Sequence, residues 1–163
     1  AGPGASGGRR RICDDRRMAR TTAALDALVA DVTSLPPADR LQLLVELGDE
    51  LPESGRDPAT MERVVECRSP LYLDVAVDAA GAVRLTLDAP AEAPTTRGFA
   101  ALLHQALDGA SPEEVLATPD DLPLRLGLTG VVSPLRLNGM AALLARIKSR
   151  LREATPAGRA TTP

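Results

Sequence analysis

Leu71-Tyr72-Leu73-Asp74-Val75-Ala76-Val77-Asp78-Ala79-Ala80-Gly81-Ala82-Val83-Arg84-Leu85-Thr86-Leu87-Asp88 is the stretch on which the fold turns. Leu71, Leu73, Val75 and Val77 alternate with Tyr72, Asp74, Ala76 and Asp78, and the alternation resumes with Val83, Leu85 and Leu87 against Arg84, Thr86 and Asp88. A period of two with one apolar face predicts a β-hairpin, and Gly81 supplies the dihedral freedom its turn requires. A shorter strand is expected just before it, at about residues 63–66. Three strands with a single apolar face need a layer of helices to cover them.

Working outward, the flanks switch to helical spacing. Upstream, Leu25, Leu28, Val29 and Val32 share one face behind a threonine N-cap. Pro36-Pro37 stops that helix and starts another, whose face runs through Leu41, Leu44, Val45, Gly48 and Leu51 to Pro52. Downstream, Phe99, Leu102, Leu103, Ala106 and Leu107 form a stripe closed by Gly109, and Ser111-Pro112-Glu113-Glu114 reads as a capping box. Met140, Leu143, Leu144, Ile147 and Leu151 make the last stripe, with Asn138 as its expected N-cap and Gly139 as a permissive residue beside it. The order helices, antiparallel strands, helices predicts a single α+β domain with a small three-stranded antiparallel sheet covered by helices.

Composition narrows the chemistry. The 163 residues are 44% hydrophobic but only 1% aromatic, with two cysteines and one histidine. One Phe and one Tyr exclude an aromatic platform for single-stranded nucleic acid, and no run reaches the ~18 apolar residues of a membrane span. Two cysteines make neither a disulfide framework nor a four-thiolate zinc site. Residues 1–20 carry six arginines against Asp14 and Asp15, a net +4 that leaves −7 on the rest. A basic tail on an acidic body argues against a nucleic-acid-binding fold, and the tail lacks the apolar stretch of a secretory signal. Residues 1–20 are therefore expected to be a disordered tail or a vector remnant ahead of Met18, residues 21–155 the domain, and 156–163 a disordered tail. The expected compartment is the cytoplasm, with both thiols reduced.

Cys67 is the candidate reactive group. It lies in Val64-Val65-Glu66-Cys67-Arg68-Ser69-Pro70, where serine and proline mark a turn and so place the thiol on a loop. A single cysteine is ordinarily a small buried hydrophobe, but these neighbours are polar, and Arg63 and Arg68 favour the thiolate. Val64-Val65 before it and Pro70-Leu71 after it would let a small loop shift turn the sulfur into the apolar layer. Cys13, in the tail, has no pocket to hold a substrate. His104 falls off the apolar stripe of its helix, so the chain's one imidazole is not expected to serve as a base. Sulfur-to-sulfur transfer needs no such base, because a thiolate attacks sulfur directly and another thiolate leaves. Asp120-Asp121 and Glu113-Glu114 read as caps and solvated turns. In Ser133-Pro134-Leu135-Arg136-Leu137-Asn138-Gly139-Met140, a helix lead-in does not account for an arginine among leucines.

Taken together, these residues resemble the SufE/CsdE family of sulfur acceptor proteins of iron–sulfur cluster assembly, over about Thr22 to Arg152. The resemblance is carried by Glu46-Leu47-Gly48-Asp49-Glu50-Leu51-Pro52, Val65-Glu66-Cys67-Arg68-Ser69, the hairpin with Gly81, Arg97-Gly98, and Ser133-Pro134-Leu135-Arg136-Leu137-Asn138-Gly139. The family commonly has glycine before the cysteine and glutamine after it, where this chain has Glu66, which opposes thiolate formation, and Arg68, which favours it. The resemblance implies Cys67 at one end of the sheet, accepting persulfide sulfur from a pyridoxal-phosphate-dependent cysteine desulfurase of SufS/CsdA type and passing it to an iron–sulfur scaffold. It implies no cofactor or metal held by this chain, and a partner-binding or loop-shaping role for Arg68, Arg136 and Asn138. Whether the chain forms a homodimer is left open. A cluster scaffold of the related IscU type needs more thiolates than Cys67 alone, and a redox sensor needs a resolving cysteine in the folded part. An adaptor that stimulates a desulfurase by docking alone is the alternative that stands.

Overall fold

The computed structural model describes residues 22–155. The basic segment with Cys13, Met18 and Thr21, and the segment from 156 onward, lie outside the described residues, as do the expectations placed on them.

The hairpin forms where the alternation places it. Strands β2 (Tyr72–Val77) and β3 (Val83–Asp88) pair antiparallel from Tyr72 opposite Asp88 to Val77 opposite Val83. Their connection is held by Asp78, whose Oδ1 accepts from the Ala80 and Ala82 amides, while Gly81 sits at φ 82°, in the left-handed region glycine enters without strain. Strand β1 (Glu62–Arg63) pairs with the other edge of β2, giving the order β1-β2-β3. It is shorter than the expected 63–66. The Val64 amide still donates to the Leu71 carbonyl, but Val65 and Glu66 then turn outward and the Cys67 amide donates back to Val64.

Helices cover the apolar face. The first, α1, spans residues 22–34 and buries Leu25 and Val32; Thr22 is already helical. Helix α2 (Pro37–Gly48) crosses α3 (Pro94–Leu107), which packs on β3. A short α4 (Pro112–Ala117) opens with the expected capping box, in which Ser111 and Glu114 satisfy each other's backbone amides. One turn, α5 (Leu122–Arg125), leads to the long α6 (Pro134–Ala154), which lies along β2. Leu73, Val83, Leu85, Phe99, Leu103, Leu107, Leu143 and Ile147 meet in one aliphatic core.

The start of α6 corrects one expectation. Its N-cap is Ser133, whose side chain accepts from the Arg136 amide, and Pro134 takes the first helical position. Proline's fixed φ favours that position and its missing N–H costs nothing there, so the cap lies five residues before Asn138. Asn138 lies within the helix, and Gly139 is buried against the cysteine loop.

Two side chains fix the helical layer. Arg97 donates to three carbonyls, from Nε to Gly48 (2.9 Å), Nη1 to Ala89 (2.6 Å) and Nη2 to Leu51 (3.4 Å), tying the end of α2 to the end of the sheet. Buried Lys148 on α6 donates from Nζ to the Thr118 carbonyl and to Asp120, holding the segment between α4 and α5. Asp121 pairs with Arg125 and makes no capping bond at the start of α5, so the Asp120-Asp121 pair serves ion pairs rather than the expected caps, because Lys148 and Arg125 lie within reach.

Candidate functional site

The loop between β1 and β2 carries Cys67 at one end of the sheet. Its thiol is half-buried and free of any disulfide among the described residues. The sulfur is positioned by two helices: its Sγ is 3.9 Å from Thr96 Oγ1 on α3, and Gly139 on α6 is close enough that a Cβ built there would sit 3.6 Å from it. Glycine thus leaves open the space beside the sulfur that a methyl group would fill in ordinary van der Waals contact, a role for Gly139 that differs from helix initiation.

A cavity of about 270 Å³ opens beside the thiol. The loop contributes Cys67, Arg68, Ser69 and Leu71; the first turns of α3 contribute Thr95, Thr96 and Phe99; the start of α6 contributes Ser133, Leu135, Arg136, Gly139 and Met140. Arg136 Nη1 donates to Thr95 Oγ1 at 3.2 Å, which directs the guanidinium toward the cavity wall. The arginine that stood out among leucines and the loop arginine Arg68 therefore share one cavity with Cys67. Asn138, the third residue linked to the loop by resemblance, does not line it, and neither does His104 on α3. Thr95, Thr96 and the close approach at Gly139 had no marker in the sequence, because their spacing is that of any helix start or interior.

The Glu66 carboxylate takes no part in the cavity. It accepts from Arg146 Nε and Nη2 on α6, both at 2.9 Å. The same guanidinium donates to Glu62 at 2.5 Å, and Glu62 also accepts from Arg150. The hydrogen bond from Arg146 holds the Glu66 pKa below its ordinary value. At Glu62 burial acts to raise the pKa, but the hydrogen bonds from Arg150 and Arg146 outweigh it and the net shift is downward. The opposition between Glu66 and Arg68 expected around the thiol is thus resolved in space: Glu66 anchors the loop to α6 while Arg68 lines the cavity.

Val65 is exposed at 69% and Leu135 at 45%, one on the cysteine loop and one at the cavity rim. Val65 thus turns to solvent rather than into the apolar layer, while Val64 and Leu71 are buried. No group of three or more His, Cys, Asp or Glu side chains that could hold a metal ion occurs among the described residues. Among them, too, no helix is long and apolar enough to cross a membrane.

The fold and site together define a small α+β domain with one thiol at the mouth of an arginine-lined cavity. A family model described as SufE, Fe-S metabolism associated domain, matches residues 26–151, and the chain belongs to the SufE family. An uncharacterized SufE-like protein of Mycobacterium tuberculosis is 49% identical over 134 residues, covering 81% of this chain and 94% of that protein. The solution structure of a hypothetical protein from Thermus thermophilus superposes with a TM-score of 0.69 at 38% identity, over 80% of this chain and 94% of the other. A chloroplastic quinolinate synthase of Nicotiana tabacum contains a segment 34% identical over 139 residues, covering 82% of this chain but 19% of that enzyme.

Proposed function

We propose that this protein is a sulfur acceptor and carrier of iron–sulfur metabolism that takes persulfide sulfur onto Cys67. The donor is a pyridoxal-phosphate-dependent cysteine desulfurase, which holds the cofactor and forms the persulfide from L-cysteine; the recipient is an iron–sulfur cluster scaffold. The observation that carries this reading is the seat of Cys67, on a loop pinned to α6, its sulfur against Thr96 and Gly139 and open to a cavity larger than the thiol needs. Membership of the SufE family supports it.

The step uses only sulfur chemistry. The Cys67 thiolate attacks the terminal sulfur of the desulfurase persulfide, the desulfurase cysteine leaves as thiolate, and Cys67 retains a persulfide. Arg68 and Arg136 offset the negative charge at the cavity mouth. The half-buried seat shields the cargo from stray thiols, and Val65 and Leu135 offer the desulfurase an apolar footing beside it. The reading places residues 21–155 as the carrier domain, acting in the cytoplasm. Incubation with a cysteine desulfurase and L-cysteine should add one or more sulfur atoms to the intact mass, removable by dithiothreitol. Cys67→Ser should abolish that gain and Cys13→Ser leave it; equal loss in both would remove Cys67 from the role.

The second reading, an adaptor that stimulates a desulfurase by docking, is favoured by the same two exposed apolar residues, which need no thiol to bind. Full stimulation by Cys67→Ser would select it.

A further inference from the structure

The cavity beside Cys67 is larger and more cationic than a persulfide requires. One added sulfur is comparable in size to a water molecule, whose share of liquid volume is ~30 Å³. The cavity holds about 270 Å³, just below the ~300–1,000 Å³ that drug-sized ligands occupy, which suits a smaller molecule. Its polar lining is one-sided, with two guanidinium groups and the hydroxyl-bearing Ser69, Thr95, Thr96 and Ser133, and no carboxylate.

The arginines of this acidic body are mostly paired. Arg56, Arg84, Arg125, Arg146 and Arg150 each meet an Asp or Glu, and Arg40 and Arg97 are absorbed by backbone carbonyls. Four others, Arg63, Arg68, Arg136 and Arg152, have no carboxylate ion pair among the described residues, and two of these, Arg68 and Arg136, line this cavity; Arg136 donates to the neutral Thr95 hydroxyl. Helix α3 begins at the same cavity with Ala93 at its N-cap and no side-chain cap, so its positive end is not screened by a side-chain oxygen. Two charges left unpaired at one concave wall, next to a thiol, call for an anion that enters with the sulfur chemistry.

We propose that this cavity is a subsite for a small anionic thiol, a mercapto-carboxylate or mercapto-sulfonate, which takes sulfur directly from Cys67. The proposal rests on the carrier reading above and adds to it a low-molecular-weight acceptor. The anionic group sits on Arg68 and Arg136, and the acceptor thiolate reaches the outer sulfur of the Cys67 persulfide. That thiolate attacks the outer sulfur, a new sulfur–sulfur bond forms, the bond to Sγ breaks, and Cys67 leaves as thiolate. The proton of the persulfide stays with the transferred sulfur, so no oxidant or reductant is consumed. Without the arginines, an acceptor bearing two negative charges would be repelled by any ionised persulfide; with them the charge becomes a handle.

Two experiments in the Cys13→Ser background test this. In the unloaded protein, the rate of Cys67 alkylation by iodoacetate is divided by that for iodoacetamide, which carries no charge. The ratio should exceed that of free glutathione about tenfold, the effect of one charge-assisted hydrogen bond. It should fall back in Arg68→Gln and Arg136→Gln and be retained in Arg136→Lys, each checked for an unchanged melting temperature. In the sulfur-loaded protein, freed of desulfurase, 3-mercaptopropionate should discharge Cys67 faster than 2-mercaptoethanol and with a saturable rate. A glutathione-like alkylation ratio, or discharge that is linear in thiol and indifferent to its charge, would overturn the proposal. Failure of Cys67 to load at all would instead overturn the carrier reading, and the alkylation ratio would still report on the subsite.

Discussion

Gly139 is where a single hydrogen atom in place of a side chain shapes the site. A methyl group there would lie 3.5 Å from Cys67 Cα and 3.6 Å from its Cβ and Sγ, ordinary van der Waals distances that require no movement. Within a helix, alanine is favoured over glycine by roughly 0.5–1 kcal/mol. Gly139→Ala should therefore keep or raise the melting temperature while occupying space beside the sulfur. On the carrier reading, loading of Cys67 should slow, as followed by intact mass over time with a fixed amount of desulfurase. A variant that loads at the parental rate would show that the outer sulfur turns away from α6. The pairing of greater stability with slower loading separates a site effect from a folding defect.

At the scale of elements, the layer behind the site depends on how closely α2 and α3 cross. A Cβ at Gly98 would stand 1.8 Å from the Leu44 carbonyl oxygen, and that oxygen belongs to helix backbone, which cannot swing aside. Gly98→Ala must separate the two helices, at the roughly 1–3 kcal/mol or more typical of overpacking. Thermal unfolding should show a melting temperature lower by several degrees, and an unchanged value would mean that α2 shifts freely on α3. This contact also marks the limit of what periodicity conveys. The hairpin was legible because alternation, a glycine turn and an apolar face all agree, and the loop position of Cys67 followed from the polar, turn-forming residues around it. The α6 start was misread because Asn138-Gly139 has capping chemistry of its own, while Pro134 and Ser133 decide the boundary. Gly98 and Arg97 look like any polar start of a helix; the carbonyls they meet, at Leu44, Gly48, Leu51 and Ala89, come from other segments. The cavity was half legible: Arg136 announced itself by its apolar neighbours, whereas Thr95 and Thr96 did not. Arg146 and Glu66 are 80 residues apart, and no local pattern links them.

Across the molecule, acidic groups whose pKa values are lowered tie separate segments together at Glu62, Glu66 and Asp120 and close the hairpin turn at Asp78. Arg146 holds Glu66 and Glu62, Arg150 also holds Glu62, Lys148 holds Asp120, and the hairpin turn holds Asp78 through the Ala82 amide and other donors. For each carboxyl the folded state binds its proton less readily than the unfolded chain, whose ordinary values are 4.5 for Glu and 3.8 for Asp. The unfolded state therefore takes up protons first as pH falls, so stability decreases with acidification through this window. The contribution is fully present above about pH 5.5, a unit over the ordinary glutamate value, and is lost as pH drops through the depressed folded-state values. Most of these carboxyls reach solvent, so added salt should flatten the dependence. Two of them, Glu62 and Glu66, meet at Arg146 beside the cysteine loop. Arg146→Gln should consequently lower the melting temperature at neutral pH and reduce its slope between about pH 5.5 and 3. Amide exchange across residues 64–71 should also quicken in this variant, because the loop loses its bond to α6 while the Val64–Leu71 backbone bond remains. Melting curves across that range, for parent and variant at low and high salt, provide the check. A variant with the parental slope would assign the acid sensitivity to Asp78 and Asp120, leaving the loop held by its backbone bonds and by α6 packing at Gly139.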